Sequence, residues 1–339
     1  MIFRGWENKK LMLPDRRVVE AFCPVIVSAS RATDIPAFFS KWFSNRLRAG
    51  YMLWTNPFNA NQVQYVSFER TRVIVFWSKN PKSLLPYLSE IDDTGINYYF
   101  QFTVNDYDAE GIEKNVPPLA ERIEVFKRLA DKVGPERVIW RFDPLILSNA
   151  LTVDDLLSRI NRIAIMLQGS TRKLVISFAD INLYKKVRNN LAKQPHEYRE
   201  FTLELMASFA ERLVALNKEW GLEIATCAEL LDLTRYGIRH NRCIDDDLMI
   251  KLFKTDLELM SFLGYESDQL DLFTGGSQSH LKDKGQRKEC GCIVSKDIGR
   301  YDTCHHLCAY CYANSSSKSV ENNIRKHNAE SDSIISSYG

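Results

Sequence analysis

Three cysteines late in the chain have a spacing that suits metal chemistry. Cys304, Cys308 and Cys311 stand four and three residues apart in "YDTCHHLCAYCYANSSS", residues 301–317. Three thiolates can bind three irons of a cubane cluster and leave the fourth iron without a protein ligand. Such an iron is open to a substrate or a cofactor. The spacing therefore predicts a reactive 4Fe-4S cluster at these residues, which we call the three-cysteine group.

Zinc is the alternative metal for the same residues. His305 or His306 would supply a fourth ligand and complete a tetrahedral structural site. Zinc modules usually bring two pairs of ligands together across a longer loop, and this run has no such arrangement. The spacing favours iron and sulfide and leaves zinc open.

Four further cysteines have the right number for a second, fully ligated cluster or a zinc site. Cys227 ends an apolar run, Cys243 lies in "RHNRCIDDD", and Cys290 and Cys292 form "ECGC". The structural alternative is that Cys227 and Cys243 are small buried residues, as free cysteines often are. The polar surroundings of "ECGC" fit that alternative less well. We call these residues the four-cysteine group; Cys23 stands apart from both groups.

Composition sets wide bounds. The 339 residues suffice for one large or two smaller domains, and 45 Lys+Arg against 43 Asp+Glu give a net charge of +2. This charge gives no electrostatic reason to expect nucleic acid or an anionic membrane as a partner. The sequence has no recognisable signal peptide and no apolar stretch of membrane-spanning length, which predicts a cytoplasmic protein. In a reducing compartment, clustered cysteines are better interpreted as metal ligands than as disulfides.

Short apolar runs alternate with longer amphipathic segments, the pattern of buried parallel strands joined by helices. The fold class predicted is α/β: a full or partial parallel (β/α) barrel of the TIM type at 1–265, with a doubly wound open sheet as the competitor. A cysteine-rich segment follows at 266–314, beginning with a mobile connection over 266–289, and a disordered tail at 315–339. Helices are predicted near 34–50, 81–90, 117–132, 152–167, 197–219 and 246–260. About seven strands are predicted: "PVIVSAS" (24–30), "YMLWTN" (51–56), "RVIVFWS" (72–78), "YYFQFTV" (98–104), "RVIWRFDP" (137–144), "KLVISFAD" (173–180) and "LEIATCAE" (222–229).

Polar residues close many of these apolar runs. In a parallel barrel the chemistry lies at the carboxyl ends of the strands, although strands also end in polar residues simply because they reach the surface. Arg141 and Asp143 stand out because both are embedded in the apolar run "VIWRFDPLIL", where an unpaired charge is costly. The other candidates at strand ends are Ser28, Ser30, Arg31, Asp34, Asn56, Lys79, Asn80, Gln101, Asn105, Ser177, Asp180, Cys227 and Glu229.

The three-cysteine group resembles the CxxxCxxC signature of the radical S-adenosylmethionine (SAM) superfamily, in which an aromatic residue commonly precedes the last cysteine, as Tyr310 does here. That resemblance implies a 4Fe-4S cluster, SAM bound at its open iron, reductive cleavage of SAM and a parallel barrel. Most of the superfamily carries the motif after the first strand, whereas here it follows the last one. "CGCIVSKDIGRYDTCHHLCAYCYAN", "FWSKNP" and "WRFDP" also resemble an uncharacterised prokaryotic family, which implies architecture but no substrate.

A SAM-binding site needs donors for the carboxylate and a surface for the adenine. By its motif position Tyr310 is expected near the adenine, and four other strand-end residues are candidate contacts: Lys79, Asn80, Arg141 and Arg31.

Two functions are compatible with these patterns. The first is a radical SAM enzyme that needs an external electron donor. Its substrate, a small molecule or another kind of compound, is not identified by the sequence. The second is a non-catalytic barrel with a structural iron–sulfur or zinc module. Short basic runs at 185–188 and 282–288 are typical of solvated surface, and no helix-turn-helix unit for DNA is evident.

Overall fold

The computed structural model describes residues 3–57, 59–265 and 281–336. Within them the chain forms fourteen strands: β1 (Glu7–Met12), β2 (Val18–Cys23), β3 (Ile26–Ala29), β4 (Tyr51–Asn56), β5 (Asn59–Ser67), β6 (Val73–Ser78), β7 (Asn97–Thr103), β8 (Val138–Leu145), β9 (Leu147–Ser148), β10 (Lys173–Phe178), β11 (Tyr198–Arg199), β12 (Glu223–Thr226), β13 (Arg239–His240) and β14 (Lys296–Asp297).

The same residues form ten α-helices: α1 (Ile35–Phe38), α2 (Ser40–Ala49), α3 (Leu88–Asp92), α4 (Leu119–Val133), α5 (Val153–Met166), α6 (Lys185–Leu191), α7 (Leu203–Trp220), α8 (Asp246–Phe253), α9 (Leu257–Leu263) and α10 (Ser317–Arg325). Short 3-10 turns occur at Pro81–Ser83, Leu85–Tyr87, Pro135–Arg137 and Thr234–Tyr236.

Eight strands form one all-parallel sheet in the order β13-β12-β10-β8-β7-β6-β3-β14. From β3 to β13 the strands neighbour one another in chain order, and the last strand, β14, pairs with the first, β3. The segments after β13 and before β14 also meet, since the Ile293 amide donates to the Ile244 carbonyl over 3.2 Å. An α/β fold with a parallel sheet is therefore confirmed.

The central strands are apolar throughout because both faces of the sheet are covered. β6, "VIVFWS", and β7, "NYYFQFT", carry β-branched and aromatic residues that are nearly all buried. Helix α4 shows the complementary pattern, since Ile123, Phe126 and Leu129 recur at helical spacing and are buried against the sheet. The alternation of apolar runs and amphipathic segments in the sequence therefore correctly predicts buried strands covered by helices.

One predicted parallel strand is wrong. "YMLWTN" forms β4, which pairs antiparallel with β5 in a separate four-stranded sheet of order β1-β2-β5-β4. Hairpins therefore do occur in this chain, although no clear hairpin signal is present in the sequence. β4 buries Tyr51 and Met52 but leaves its later residues half-exposed, as an outer strand does. Asn56 consequently hydrogen-bonds Gln62 (2.7 Å) within this outer sheet and is not at the ends of the parallel strands.

Within the parallel sheet the prediction missed β13 and β14, which are two residues long and too short for a periodic pattern. Outside that sheet it also missed β1, β2, β5, β9 and β11. β14 is held by side-chain contacts as well as by pairing. The Asp297 carboxylate accepts hydrogen bonds from Ser28 Oγ (3.0 Å) and from the Arg31 amide (2.8 Å). Two helix predictions also change: the segment 246–260 contains two helices, and α7 begins at Leu203 instead of near 197.

The tail is ordered as far as residue 336, which contradicts the prediction of disorder from residue 315. Helix α10 is capped by Ser316, and the following segment packs on α2 through its backbone and side chains. Trp42 Nε1 donates to the Ser331 carbonyl (2.9 Å), and Arg46 forms an ion pair with Asp332 (2.6 Å). The tail is mostly polar, which led to the prediction of disorder, but a few of its apolar residues are buried, such as Ile334. In the predicted mobile connection, residues 266–280 lie outside the described residues, and 281–289 form turns.

No helix among the described residues is long and apolar enough to cross a membrane.

The loop after β14 packs tightly against β3, and one substitution tests this contact. A Cβ on Gly299 would stand 1.8 Å from Ser30 Oγ and 2.7 Å from Ser30 Cβ. Gly299→Ala is therefore expected to lower the free energy of unfolding by at least about 1–3 kcal/mol, as measured by urea denaturation. Gly285→Ala is the control, because it lies in an exposed turn and its Cβ would meet only Asp283 Oδ1, at 3.2 Å. Equal stability of both variants would contradict the described packing.

Candidate functional site

The three-cysteine group lies in the segment that follows β14, at the carboxyl edge of the parallel sheet. Cys308 is buried, and Cys304 and Cys311 are half-buried. Burial raises the pKa of all three thiols; at Cys308 the charge of Lys79 opposes this effect and the carboxylate of Glu113 adds to it. The backbone closes a turn at the motif, since the Cys311 amide donates to the Cys308 carbonyl (3.1 Å). The three thiols therefore lie in one short folded segment, near enough to affect one another's pKa.

A buried carboxylate organises the neighbourhood of Cys308. Glu113 forms an isolated bridge with Cys308, and Glu113 Oε1 accepts from Lys79 Nζ (2.8 Å), from Asn105 Nδ2 (3.1 Å) and from the Tyr310 hydroxyl. Arg122 Nη1 lies 3.7 Å from Glu113 Oε2. Burial alone would raise the pKa of Glu113, but the charges of Lys79 and Arg122 outweigh it and lower the pKa to about 2. Glu113 therefore holds a negative charge that fixes Tyr310 and Lys79 in place.

His306 is engaged on both sides of its ring. Nε2 lies 2.8 Å from Asp34 Oδ2, and Nδ1 lies 3.4 Å from the Asn115 carbonyl. Asp34 also caps α1 by accepting from the Ala37 amide (3.0 Å). His305 is exposed, with its ring edge-on to Phe38. Both ring nitrogens of His306 are therefore already engaged by other residues.

The four-cysteine group is brought together from three separate segments. Cys227 follows β12, Cys243 follows β13, and Cys290 and Cys292 precede β14. Sγ of Cys227 and Sγ of Cys243 are 3.5 Å apart. Hydrogen bonds from the thiols of Cys243 and Cys290 lower the pKa of Cys292. The fold thus assembles the second cysteine group, although its members lie far apart in the sequence.

Arg141 explains the charges in the apolar run of β8. Its side chain is 3% exposed and pairs with Asp143, which in turn accepts from Ser177 Oγ. Arg141 Nη1 donates to Gln101 Oε1 (3.1 Å) and to Cys243 Sγ (2.9 Å). Arg141 therefore contacts the four-cysteine group through Cys243.

Arg31 lies on the same tryptophan as Arg141. Each guanidinium carbon is 5.3 Å from the centre of the Trp77 ring. The Arg31 carbonyl accepts from the Tyr312 hydroxyl (3.0 Å), next to Cys311, and Arg31 Nη2 is buried without a hydrogen-bond partner. Arg31 thus bridges the region between the two cysteine groups.

The five residues predicted to contact the cofactor lie in different places in the structure. Lys79 Nζ lies 5.4 Å from the centre of the Tyr310 ring, and both residues lie beside the three-cysteine group. Arg31 and Arg141 form the set on Trp77. Asn80 Oδ1 accepts from the Lys82 amide (3.4 Å) and caps its own 3-10 turn. Sequence reasoning missed Glu113, Arg122 and Trp77, since their roles depend on contacts with distant segments.

Among the described residues, no group of three or more His, Cys, Asp or Glu side chains is already arranged to hold a single metal ion.

A family model described as "Domain of unknown function (DUF1848)" matches residues 26–313. This match agrees with the resemblance to an uncharacterised family; no radical SAM family matches. No curated protein matches the chain. Among solved structures, a candidate alpha-L-fucosidase from Bacteroides thetaiotaomicron is 11% identical over 58% of this chain and 74% of its own, with a TM-score of 0.25. That score is too low to support an argument.

Proposed function

Because the chain belongs to the DUF1848 family, whose description names no reaction, we propose a function from its own residues: a radical SAM-type enzyme that reductively cleaves SAM at a 4Fe-4S cluster. The cluster would be held by Cys304, Cys308 and Cys311. The observation that supports the proposal is that the three cysteines lie in one folded segment directly after β14, beside Lys79 and Glu113.

The donor set fits an open cluster. Three thiolates leave one iron free, and His306 is already paired with Asp34. Lys79 provides a buried positive charge beside Cys308, which favours thiolates there. When bound and reduced, a cluster of this kind supplies the electron that cleaves SAM and starts radical chemistry on the substrate.

The proposed reaction also needs a cavity that holds SAM and the substrate. We infer that the parallel sheet closes into a TIM-like barrel, because β14 pairs with β3 and the Ile293 amide reaches the Ile244 carbonyl on the opposite side. In such a barrel the strand ends form a common cavity in which chemistry takes place. The segment after β14 would then lie over that cavity.

Other residues near the cysteines would bind SAM and the substrate. Tyr310, fixed by Glu113, offers an aromatic face near the adenine of SAM. Arg31 has an unpartnered Nη2 that suits the carboxylate of SAM or of the substrate. Lys79 and Arg141 are already paired and act on SAM through charge, and a contact from Asn80 stays a prediction. An external electron donor and a cytoplasmic location also stay predictions.

Anaerobic reconstitution with iron and sulfide tests the proposal. After reduction with dithionite and addition of SAM, we expect 5′-deoxyadenosine by mass spectrometry and a change in the electron paramagnetic resonance signal of the reduced cluster. Bound zinc without acid-labile sulfide would contradict the proposal and favour a structural metal module.

A further inference from the structure

The four-cysteine group has features of a metal centre in its own right. Its members lie at the same edge of the sheet as the three-cysteine group but come from the ends of β12 and β13 and from the segment before β14. Sγ of Cys227 lies 3.5 Å from Sγ of Cys243, and hydrogen bonds link the thiol of Cys292 to those of Cys243 and Cys290. The four cysteines are thus neighbours, although they come from three segments of the chain.

Nitrogen donors are directed at these sulfurs. The amides of Cys243 and Ile244 donate to Cys292 Sγ over 3.2 and 3.4 Å. Asn241 Nδ2 donates to Cys243 Sγ over 3.2 Å. Donors of this kind stabilise negatively charged sulfur and are one of the means by which a protein tunes an iron–sulfur cluster. A cysteine that only fills the core needs no such set of donors.

Two arginines stand beside the same sulfurs. Arg141 is buried and its Nη1 is 2.9 Å from Cys243 Sγ, and the half-buried Arg31 shares the Trp77 ring with Arg141. Each has a carboxylate nearby, Asp143 for Arg141 and Asp297 for Arg31. Cys243 lies close to both guanidinium groups, and Cys292 lies close to that of Arg31. Positive charge at this position favours thiolates over neutral thiols.

We propose that Cys227, Cys243, Cys290 and Cys292 bind a second, fully ligated 4Fe-4S cluster, and that Arg141 and Arg31 raise its reduction potential. Four cysteines occupy all four irons, so this centre has no vacancy for SAM. Nearby positive charge and N–H···S hydrogen bonds both favour the more negative, reduced state. Binding of this second cluster does not depend on whether the three-cysteine group cleaves SAM.

Metal content gives the first test. The triple variant Cys304→Ala/Cys308→Ala/Cys311→Ala, reconstituted as full chain, is expected to retain about four irons and four sulfides per chain. Adding Cys243→Ala and Cys292→Ala to that variant should remove both. Cys23→Ala is the matched control, since Cys23 is buried on β2 away from both groups and should leave the metal content of the wild type unchanged. Zinc in place of iron, or no iron in the triple variant, overturns the inference.

Reduction potential gives the second test. In the triple-variant background, dithionite delivers one electron per remaining cluster, and the midpoint is followed by electron paramagnetic resonance. Arg31→Gln is expected to shift the midpoint to a more negative potential, and Arg31→Lys to restore part of it. Arg212→Gln, an exposed arginine paired with Asp154 on the outer helices, should not shift it. An unchanged midpoint in Arg31→Gln would overturn the role of that residue.

The two proposals fail separately. A wild type that makes no 5′-deoxyadenosine while the triple variant retains its iron would contradict SAM cleavage and support the second cluster. The converse result, nucleoside formation with no iron in the triple variant, would do the reverse.

Discussion

Cys308→Ala is expected to reduce the formation of 5′-deoxyadenosine to the level of a protein-free control. Cys308 is the most buried of the three thiols and lies beside Lys79 and Glu113, where no other cysteine is placed to replace it. Two thiolates cannot hold a cubane that depends on three. The measurement is nucleoside yield after anaerobic reconstitution and reduction, together with the signal that responds to SAM.

Cys23→Ala is the control for this variant as well, because it also replaces a buried thiol by alanine and should keep full nucleoside yield. Undiminished release of 5′-deoxyadenosine by Cys308→Ala would show that the cluster is assigned to the wrong residues. Retention of the second cluster in Cys308→Ala would show that the loss of product does not come from unfolding.

Glu113→Gln is expected to lower the free energy of unfolding by about 3–5 kcal/mol. Glutamine keeps the shape of the side chain and can still accept from the Tyr310 hydroxyl, but it removes the charge that faces Lys79 and Arg122. The side chains of these two cations are 15% and 0% exposed. Lys79 would lose its carboxylate partner in a buried position, while Arg122 would keep its ion pair with Asp108 (3.1 Å). Urea unfolding of equally reconstituted wild type and variant measures the difference.

The pH dependence separates this cause from a packing effect. The ordinary pKa of the Glu113 carboxyl is 4.5, and its pKa in the folded chain is lowered to about 2. A lowered pKa stabilises the folded state fully above pH 4.5, and this contribution is lost as the pH falls toward 2. The gap between wild type and Glu113→Gln should therefore narrow over that range.

Glu121→Gln is the matched control for Glu113→Gln. Glu121 pairs with Lys82 at the surface, where both side chains are more than a third exposed. An exposed pair of this kind contributes about 1 kcal/mol or less. A loss in Glu113→Gln no larger than that in Glu121→Gln would contradict the role given to the buried network.

The layering of the fold could be predicted from the sequence because it rests on local pattern. Runs such as "VIVFWS" in β6 are apolar over their whole length, and this pattern follows from burial on both faces. β4 has a similar composition but belongs to the outer sheet, and only its partner β5 decides that. The two-residue strands β13 and β14 carry no periodic signal, although β14 positions the three-cysteine group.

The candidate site was predictable only where residue types carry chemistry by themselves. Cysteines are rare and reactive, so both groups could be proposed from spacing and number. Glu113 lies in the polar stretch "NDYDAEGIEKNVPP", where a carboxylate resembles ordinary surface. Its burial depends on Lys79, Arg122 and Tyr310, which approach it from three other segments. No local signal reports such a network.

The pairing of β14 with β3 separates the order of elements in the sequence from their order in space. Starting the chain at β14 would place the cysteine motif directly after an initial strand, followed by β3 and β6 as its successive neighbours. The neighbours of the motif in the sheet would be the same in that arrangement, so they do not depend on where the motif stands in the sequence.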